Sequence, residues 1–228
     1  MAKLYIVSTP IGNLGDITLR AIEVLKSVDA ILAEDTRVTK KLLSHLNISK
    51  PLISFQEHSS PKVVGKILSM LEEGSNLALV TDAGTPGISD PGQRLISHLA
   101  TGLLSELSNP VAIIPIPGPS SLSAMISISD IDLSEFIFLG FPPHKKGRQT
   151  FFKHVAESQI PVIMFESPHR ILKTLRELET ICEDRYVNIG RELTKMYEEI
   201  FRGKLSEAIK YFAGEKERGE FVIVLKQK

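Results

Sequence analysis

The chain has 228 residues and a mass of 25.2 kDa, with 43% hydrophobic and 24% charged residues and a mean hydropathy of +0.06, a composition that excludes long disorder and fits one large or two small folded domains. Its 27 basic and 27 acidic residues cancel, so there is no polycationic arm, and any nucleic-acid contact must come from a local patch and from shape. No run approaches the ~18 apolar residues of a membrane helix, and Cys182, the single cysteine, excludes an intrachain disulfide and a four-thiolate zinc site.

Short β-branched apolar runs alternate with stretches of helical period, the pattern of βαβ units on a largely parallel sheet. In the first half, strands are predicted at 4–8, 30–33, 52–55, 77–81 and 111–116, separated by helices at 18–28, 36–46, 61–72 and 91–103. The first apolar run, 4–8, is too short for a secretory core, and with a single cysteine the cytoplasm is the expected compartment. The first helix carries Leu19, Ile22, Leu25 and Val28 at three-residue steps, which predicts that this row packs on a sheet. Pro117-Gly118-Pro119 is the densest breaker cluster and sets the expected boundary between a domain of residues 1–117 and one of 118–228. The second half repeats the alternation, with helices at 120–128, 149–156, 171–181 and 205–212 and strands at 136–139, 162–165, 186–189 and 221–225. Residues 197–202 are expected to pair with 221–225 as an antiparallel hairpin-like element. The fold class is therefore α/β, two α/β domains with mainly parallel or mixed sheets.

In open α/β sheets the ligand crevice lies beyond the carboxyl ends of the strands, so the loops that follow strands are the informative ones. After 4–8 comes Ser8-Thr9-Pro10-Ile11-Gly12, read on its own first as a plain βα turn and only second as backbone that lets a ligand approach. After 30–33 come Glu34, Asp35, Thr36 and Arg37. A helix cap by Thr36 with a local ion pair explains these residues, and so does a pair of working carboxylates. The loop from Thr81 to Gly92 is rigid and polar, with neither a phosphate-loop lysine nor GxGxxG spacing, and is read as a backbone cradle for a small ligand with donors and acceptors rather than for a nucleotide phosphate. Ser120 and Ser121 open a helix whose amides suit a carboxylate, or simply cap it. Glu166, His169 and Arg170 follow the strand at 162–165, where a capped helix with a surface salt bridge is the plain alternative to a functional cluster. The stretch 144–153 has four cations and no acid, suited to a phosphate backbone or to a solvated loop. The six histidines lack metal-ligand spacing, so no metal is expected, and Cys182, on an apolar helix face, is read as a small core filler.

The blocks LYIVSTPIGNLGD, ILAEDTR, LALVTDAGTPGISDPG, PIPGPSS, FLGFPP with KKGR, FESPHR and GRELTKMYEEIFRG, taken in order, resemble the signature of the bacterial ribosomal RNA small subunit methyltransferase I family. This is the ribose 2′-O-methyltransferase branch of the tetrapyrrole methylase superfamily, class III methyltransferases. The resemblance covers almost the whole chain. It implies two α/β domains with S-adenosylmethionine in the cleft between them, and a homodimer that methylates the 2′-hydroxyl of a cytidine in the decoding region of small-subunit ribosomal RNA. Family members often continue past the last strand with a further helical segment, whereas this sequence ends at Lys228.

Carried onto this sequence, the cofactor role falls on Pro10, Asp82, Ala83, Gly84, Thr85, Ile88, Ser120 and Ser121, and in the second domain on Phe141, Phe165, Leu193 and Thr194. An in-line methyl transfer needs chiefly alignment, with a base to take the ribose proton. Glu34, Asp35 and Glu166 are the three candidates, unranked. Arg37, Lys145, Lys146, Arg148, His169, Arg170 and Arg191 are expected to hold phosphates. Three other readings stay open: a tetrapyrrole carbon methyltransferase of the same fold, a non-catalytic RNA-binding module, and a dinucleotide enzyme, the last disfavoured by the missing glycine fingerprint.

Overall fold

The computed structural model describes residues 1–56, 58–90, 92–100 and 109–228, and the chain divides into two compact units, Met1–Ser120 and Ser121–Lys228. In the first unit, β1 (Lys3–Val7), β2 (Ala30–Ala33), β3 (Leu52–Ser54), β4 (Leu77–Val80) and β5 (Ala112–Ile116) form an all-parallel sheet in the order β3-β2-β4-β1-β5. Every residue of β2 and β4 is buried, as expected of a parallel sheet covered on both faces. Helices α1 (Leu19–Ser27) and α2 (Thr36–His45) cover one face, where Ala21, Leu25 and Leu43 meet Val7, Ile31 and Val80. On the opposite face α3 (Pro61–Glu72) and α4 (Gln93–Ala100) bring Ile67, Leu71 and Leu95 against Leu4, Leu32 and Leu79.

The chain therefore leaves β1 and β2 toward one face and leaves β4, which lies between them, toward the other. That divergence opens a crevice at the carboxyl ends of these three strands. Local chemistry fixes the helix starts. Thr18 accepts from the Ala21 amide at 3.1 Å, and Asp35, not the expected Thr36, accepts from the Arg37 amide at 2.8 Å. Leu19 departs from the predicted buried row, being 80% exposed, because three-residue steps lag the 3.6-residue turn by about 60° each. The buried row is instead Ala21, Val24, Leu25 and Val28. Of the helix predicted over 91–103, Pro91 and residues 101–103 lie outside the described residues.

The second unit carries a mixed sheet of β6 (Ile137–Phe138), β7 (Val162–Glu166), β8 (Tyr186–Arg191), β9 (Glu199–Lys204) and β10 (Phe221–Leu225), in the order β6-β7-β10-β8-β9. Only the β6–β7 pair is parallel. The expected pairing of 197–202 with the last strand is corrected here. β9 pairs with β8, its neighbour across a short connection, and β10 inserts between β7 and β8. Burial decides the arrangement: all five residues of β10 are buried, which an edge position would not allow. Helices α6 (Arg148–Glu157), α7 (Ile171–Cys182) and α8 (Leu205–Tyr211) pack their apolar rows on one face, with Cys182 a buried filler in that core. α5 (Ser121–Ile128) contributes Met125, whose sulfur would lie 2.9 Å from a Cβ placed on Gly190.

Candidate active site

At the carboxyl edge of the first sheet, three loops are tied together by short polar contacts. Thr9 and Gly84 exchange backbone hydrogen bonds of 2.9 and 3.0 Å, an isolated antiparallel bridge joining the loop after β1 to the loop after β4. Thr85 Oγ1 donates to the Pro119 carbonyl at 3.0 Å. Its single proton being so used, the 2.9 Å contact between Ser8 Oγ and Thr85 Oγ1 has Ser8 as donor. Thr9 Oγ1 donates to the Thr81 carbonyl at 3.1 Å. Gly118 approaches so closely that a Cβ there would lie 3.0 Å from Ser8 Cβ. Pro10, Gly84 and Thr85 are thus held in one constellation, with Asp82, Ala83 and Ile88 on the same loop as Gly84 and Ser120 directly following Pro119. Ser121 opens α5 in the second unit.

The acids beside this constellation interlock. The Asp35 amide donates to Asp82 Oδ1 at 3.0 Å, and the Asp82 amide donates to Glu34 Oε2 at 3.3 Å, zipping the ends of β2 and β4. Their protonation behaviour diverges accordingly. Burial, followed by the charges of Asp82 and Asp35, pushes the Glu34 carboxyl up despite the Asp82 amide. Burial likewise raises Asp82, with Asp35 adding to the rise. Asp35 goes the other way, to about 2, because Arg37 grips it with side chain and backbone, the closest approach being 2.6 Å. Asp90, absent from the sequence-derived set, is pushed up to about 7 by burial and by Glu34, with Asp82 adding and the Thr81 hydroxyl offsetting part. The signal for Asp90 was its place in the loop after β4; Glu34, the neighbour that raises it most, follows the separate strand β2.

The second unit separates its expected site residues into two kinds. Lys145, Lys146 and His169 are exposed, and Phe141 is 49% exposed, its ring packed edge-on to Phe165 at 5.4 Å. Phe165 and Leu193 are themselves buried, and Thr194 sits in a left-handed turn at φ 66°. Register places Phe165, Val222 and Gly190 side by side across β7, β10 and β8. The buried cations and acid are tethers, a departure from the expectation that all of them face a ligand. Arg148 is buried, donating to Glu177 at 2.8 Å from Nε, to Thr174 at 2.7 Å and to the Pro143 carbonyl at 2.9 Å. It heads α6 with Phe152 and Val155 at i+4 and i+7, the face that packs inward. Glu166 is buried and receives Arg170 at 3.1 Å, Thr174 at 2.5 Å and the Ser167 amide at 2.8 Å, so its acceptors are occupied. Arg170 in turn donates to the Pro142 carbonyl at 2.5 Å and contacts His144 at 3.0 Å. Arg191 is held by the Arg218 carbonyl at 2.7 Å and by Glu199 at 3.3 Å. Arg37 remains on the surface of the first unit.

The family model described as Tetrapyrrole (Corrin/Porphyrin) Methylases matches residues 3–209. Among curated relatives, "Ribosomal RNA small subunit methyltransferase I" of Thermotoga maritima is 46% identical over the full length of both chains. The proteins of that name from Synechocystis and Bacillus subtilis are 44% and 42% identical, each covered over 99% of this chain and over 79% and 75% of their own. Among solved structures, the methyltransferase CobJ superposes with a TM-score of 0.70 at 16% identity, covering 99% of this chain and 93% of its own. Cobalt precorrin-4 methyltransferase CbiF superposes with a TM-score of 0.66 at 20% identity, covering 98% and 94%. These two likenesses establish the shared fold. With a family model spanning most of its length and full-length relatives above 40% identity, this chain is a methyltransferase that belongs to the tetrapyrrole methylases, within the ribosomal RNA small subunit methyltransferase I family.

Proposed function

We propose that the protein moves a methyl group from S-adenosylmethionine to the ribose 2′-hydroxyl of a cytidine in the decoding region of small-subunit ribosomal RNA, as a cytoplasmic homodimer. The named activity of its relatives supports the RNA substrate, and among the described residues no helix is long and apolar enough to cross a membrane. The observation that carries the reading is the constellation joining Thr9, Gly84, Thr85 and Pro119 beside the half-buried Glu34.

The residues present fit the cofactor. It offers a carboxylate, an ammonium, ribose hydroxyls and an adenine but no phosphate, and the loop from Asp82 to Ile88 carries two glycines, one carboxylate and one hydroxyl with no lysine. Gly84, at φ 83° with Ile11 3.3 Å from where a Cβ would stand, is a position that favours glycine and keeps the loop bridged to Thr9. Asp82 would pair with the ammonium or ribose hydroxyls, and the hydroxyl-bearing Ser120 and Ser121 would meet the carboxylate. When bound, S-adenosylmethionine supplies an electrophilic methyl on a sulfonium.

The chain's own contribution is alignment and a proton acceptor. Of the three expected bases, Glu34 fits best: burial raises its affinity for a proton, whereas Arg37 holds Asp35 as a very weak base and Glu166 is engaged inside the second unit. The exposed Lys145, Lys146, His169 and Arg37 hold phosphates and set the RNA's register. Tritiated methyl transfer assayed on naked small-subunit RNA, on assembled small subunits and on a tetrapyrrole acceptor tests the reading. Label in RNA supports it, and label only in the tetrapyrrole replaces it with the carbon methyltransferase reading.

A further inference from the structure

A cavity of about 260 Å³ opens in the first unit, walled by Pro10 and Leu14 after β1 and by Val38 and Leu42 of α2, with Thr81 and Asp82 after β4. Its size is below that of a drug-sized pocket and matches one small ring system with its sugar better than a dinucleotide. Two of its apolar residues are unusually uncovered for their type: Leu14 is 41% and Val38 38% exposed. Thr81 Oγ1 is buried at the cavity wall and interacts with the Asp90 carboxyl. Asp82 is exposed and its Oδ1 is steadied by the Asp35 amide at 3.0 Å, leaving a carboxylate with acceptor capacity beyond that one bond. Lys41, also lining the cavity, is exposed on α2.

We propose that this cavity receives the nucleoside to be methylated, which rests on the RNA methyltransferase reading and gives that reading its acceptor site. A base drawn out of its strand is held between apolar side chains and read along its hydrogen-bonding edge. Leu14 and Val38 supply the apolar faces. Asp82, besides the cofactor contact assigned to it above, accepts from an exocyclic amino group with its remaining acceptor capacity, the pairing by which a carboxylate selects cytosine over uracil. Lys41 takes an adjoining phosphate. Because Pro10 and Asp82 belong both to this cavity and to the loops assigned to the cofactor, acceptor and donor meet across a shared wall, which the reaction's alignment requires.

Cytidine titrated onto the full chain saturated with S-adenosylhomocysteine, followed by NMR, tests this directly, with Val38→Trp and Leu14→Trp filling the cavity from its two sides. Saturable cytidine binding in the wild type, stronger than for uridine and weakened at least tenfold in both variants while S-adenosylhomocysteine affinity stays within twofold, is the expected result. Absence of cytidine binding to the wild type, or binding untouched by either tryptophan, overturns the assignment. Loss of S-adenosylhomocysteine binding in the variants with their thermal transitions intact also overturns it, by giving the cavity to the cofactor. Methyl transfer separates the two readings. Full transfer to ribosomal RNA by Val38→Trp removes the acceptor site and leaves the function standing. Wild-type protein that binds cytidine as expected but labels no RNA removes the function instead.

Discussion

Thr9 and Gly84 are joined by two reciprocal backbone hydrogen bonds, of 2.9 and 3.0 Å, and this bridge fastens the loop after β1 to the glycine-bearing loop after β4. Both residues lie where the chain leaves neighbouring parallel strands for opposite faces of the sheet, so the bridge spans the crevice that the topology creates.

The bridge depends on a left-handed glycine. Gly84→Ala forces an L side chain to φ 83° and sets a Cβ 3.3 Å from Ile11, which should cost about 1–2 kcal/mol. Gly74→Ala, at φ 92° with nothing within 4 Å of the new Cβ, should cost a similar amount far from the crevice. Thermal melts should show both losses, while calorimetric titration with S-adenosylhomocysteine should show weakened binding only for Gly84→Ala.

Asp90 makes stability fall as pH rises. Its carboxyl loses a proton near 3.8 in the unfolded chain but near 7 in the folded one, so between those values the native state holds the extra proton and rising pH favours unfolding. Since the group is partly exposed, solvent screening reduces the effect to about 1–2 kcal/mol. Asp90→Asn should therefore be more stable than wild type at pH 8 and indistinguishable from it at pH 3.5, as read by denaturant melts at the two pH values.

Glu34→Gln should lower kcat for RNA methylation by about 10²–10⁴-fold with S-adenosylhomocysteine affinity retained, the range for loss of a general base. The wild-type rate should rise with pH as the raised Glu34 carboxyl loses its proton. Asp35→Asn, at a group already held near 2, should leave the shape of that pH profile unchanged. A Glu34→Gln enzyme with wild-type turnover would remove Glu34 from the mechanism.

Basic residues within one short stretch should behave oppositely. Lys145→Ala and Lys146→Ala touch exposed cations, so the melting temperature should stay put while the slope of log affinity for RNA against log salt falls by about one each. Arg148→Ala removes a buried guanidinium bonded to Glu177 and Thr174 and should cost about 3 kcal/mol.

The buried runs of β2 and β4, and the breaker-rich loop between β4 and α4, were legible because each is encoded by adjacent residues. So were Glu34, Asp35 and Asp82 as members of strand-end loops. The sequence alone did not show how they would differ, since Asp35 is paired locally whereas Glu34, Asp82 and Asp90 are brought together by the pairing of β2 with β4. Arg148 looked like one more cation in a basic run; its i+4 and i+7 partners Phe152 and Val155 were the available sign that it faces inward. The order of β8, β9 and β10 was hidden for a different reason: antiparallel strands of similar apolar content carry no local mark of which neighbour they choose.

Digestion of ribosomal RNA from small subunits treated with this protein and S-adenosylmethionine, with the labelled nucleoside identified by mass spectrometry, measures the proposed chemistry most directly. The account predicts 2′-O-methylcytidine. A methyl found on a base atom, or on the ribose of a different nucleoside, would contradict it.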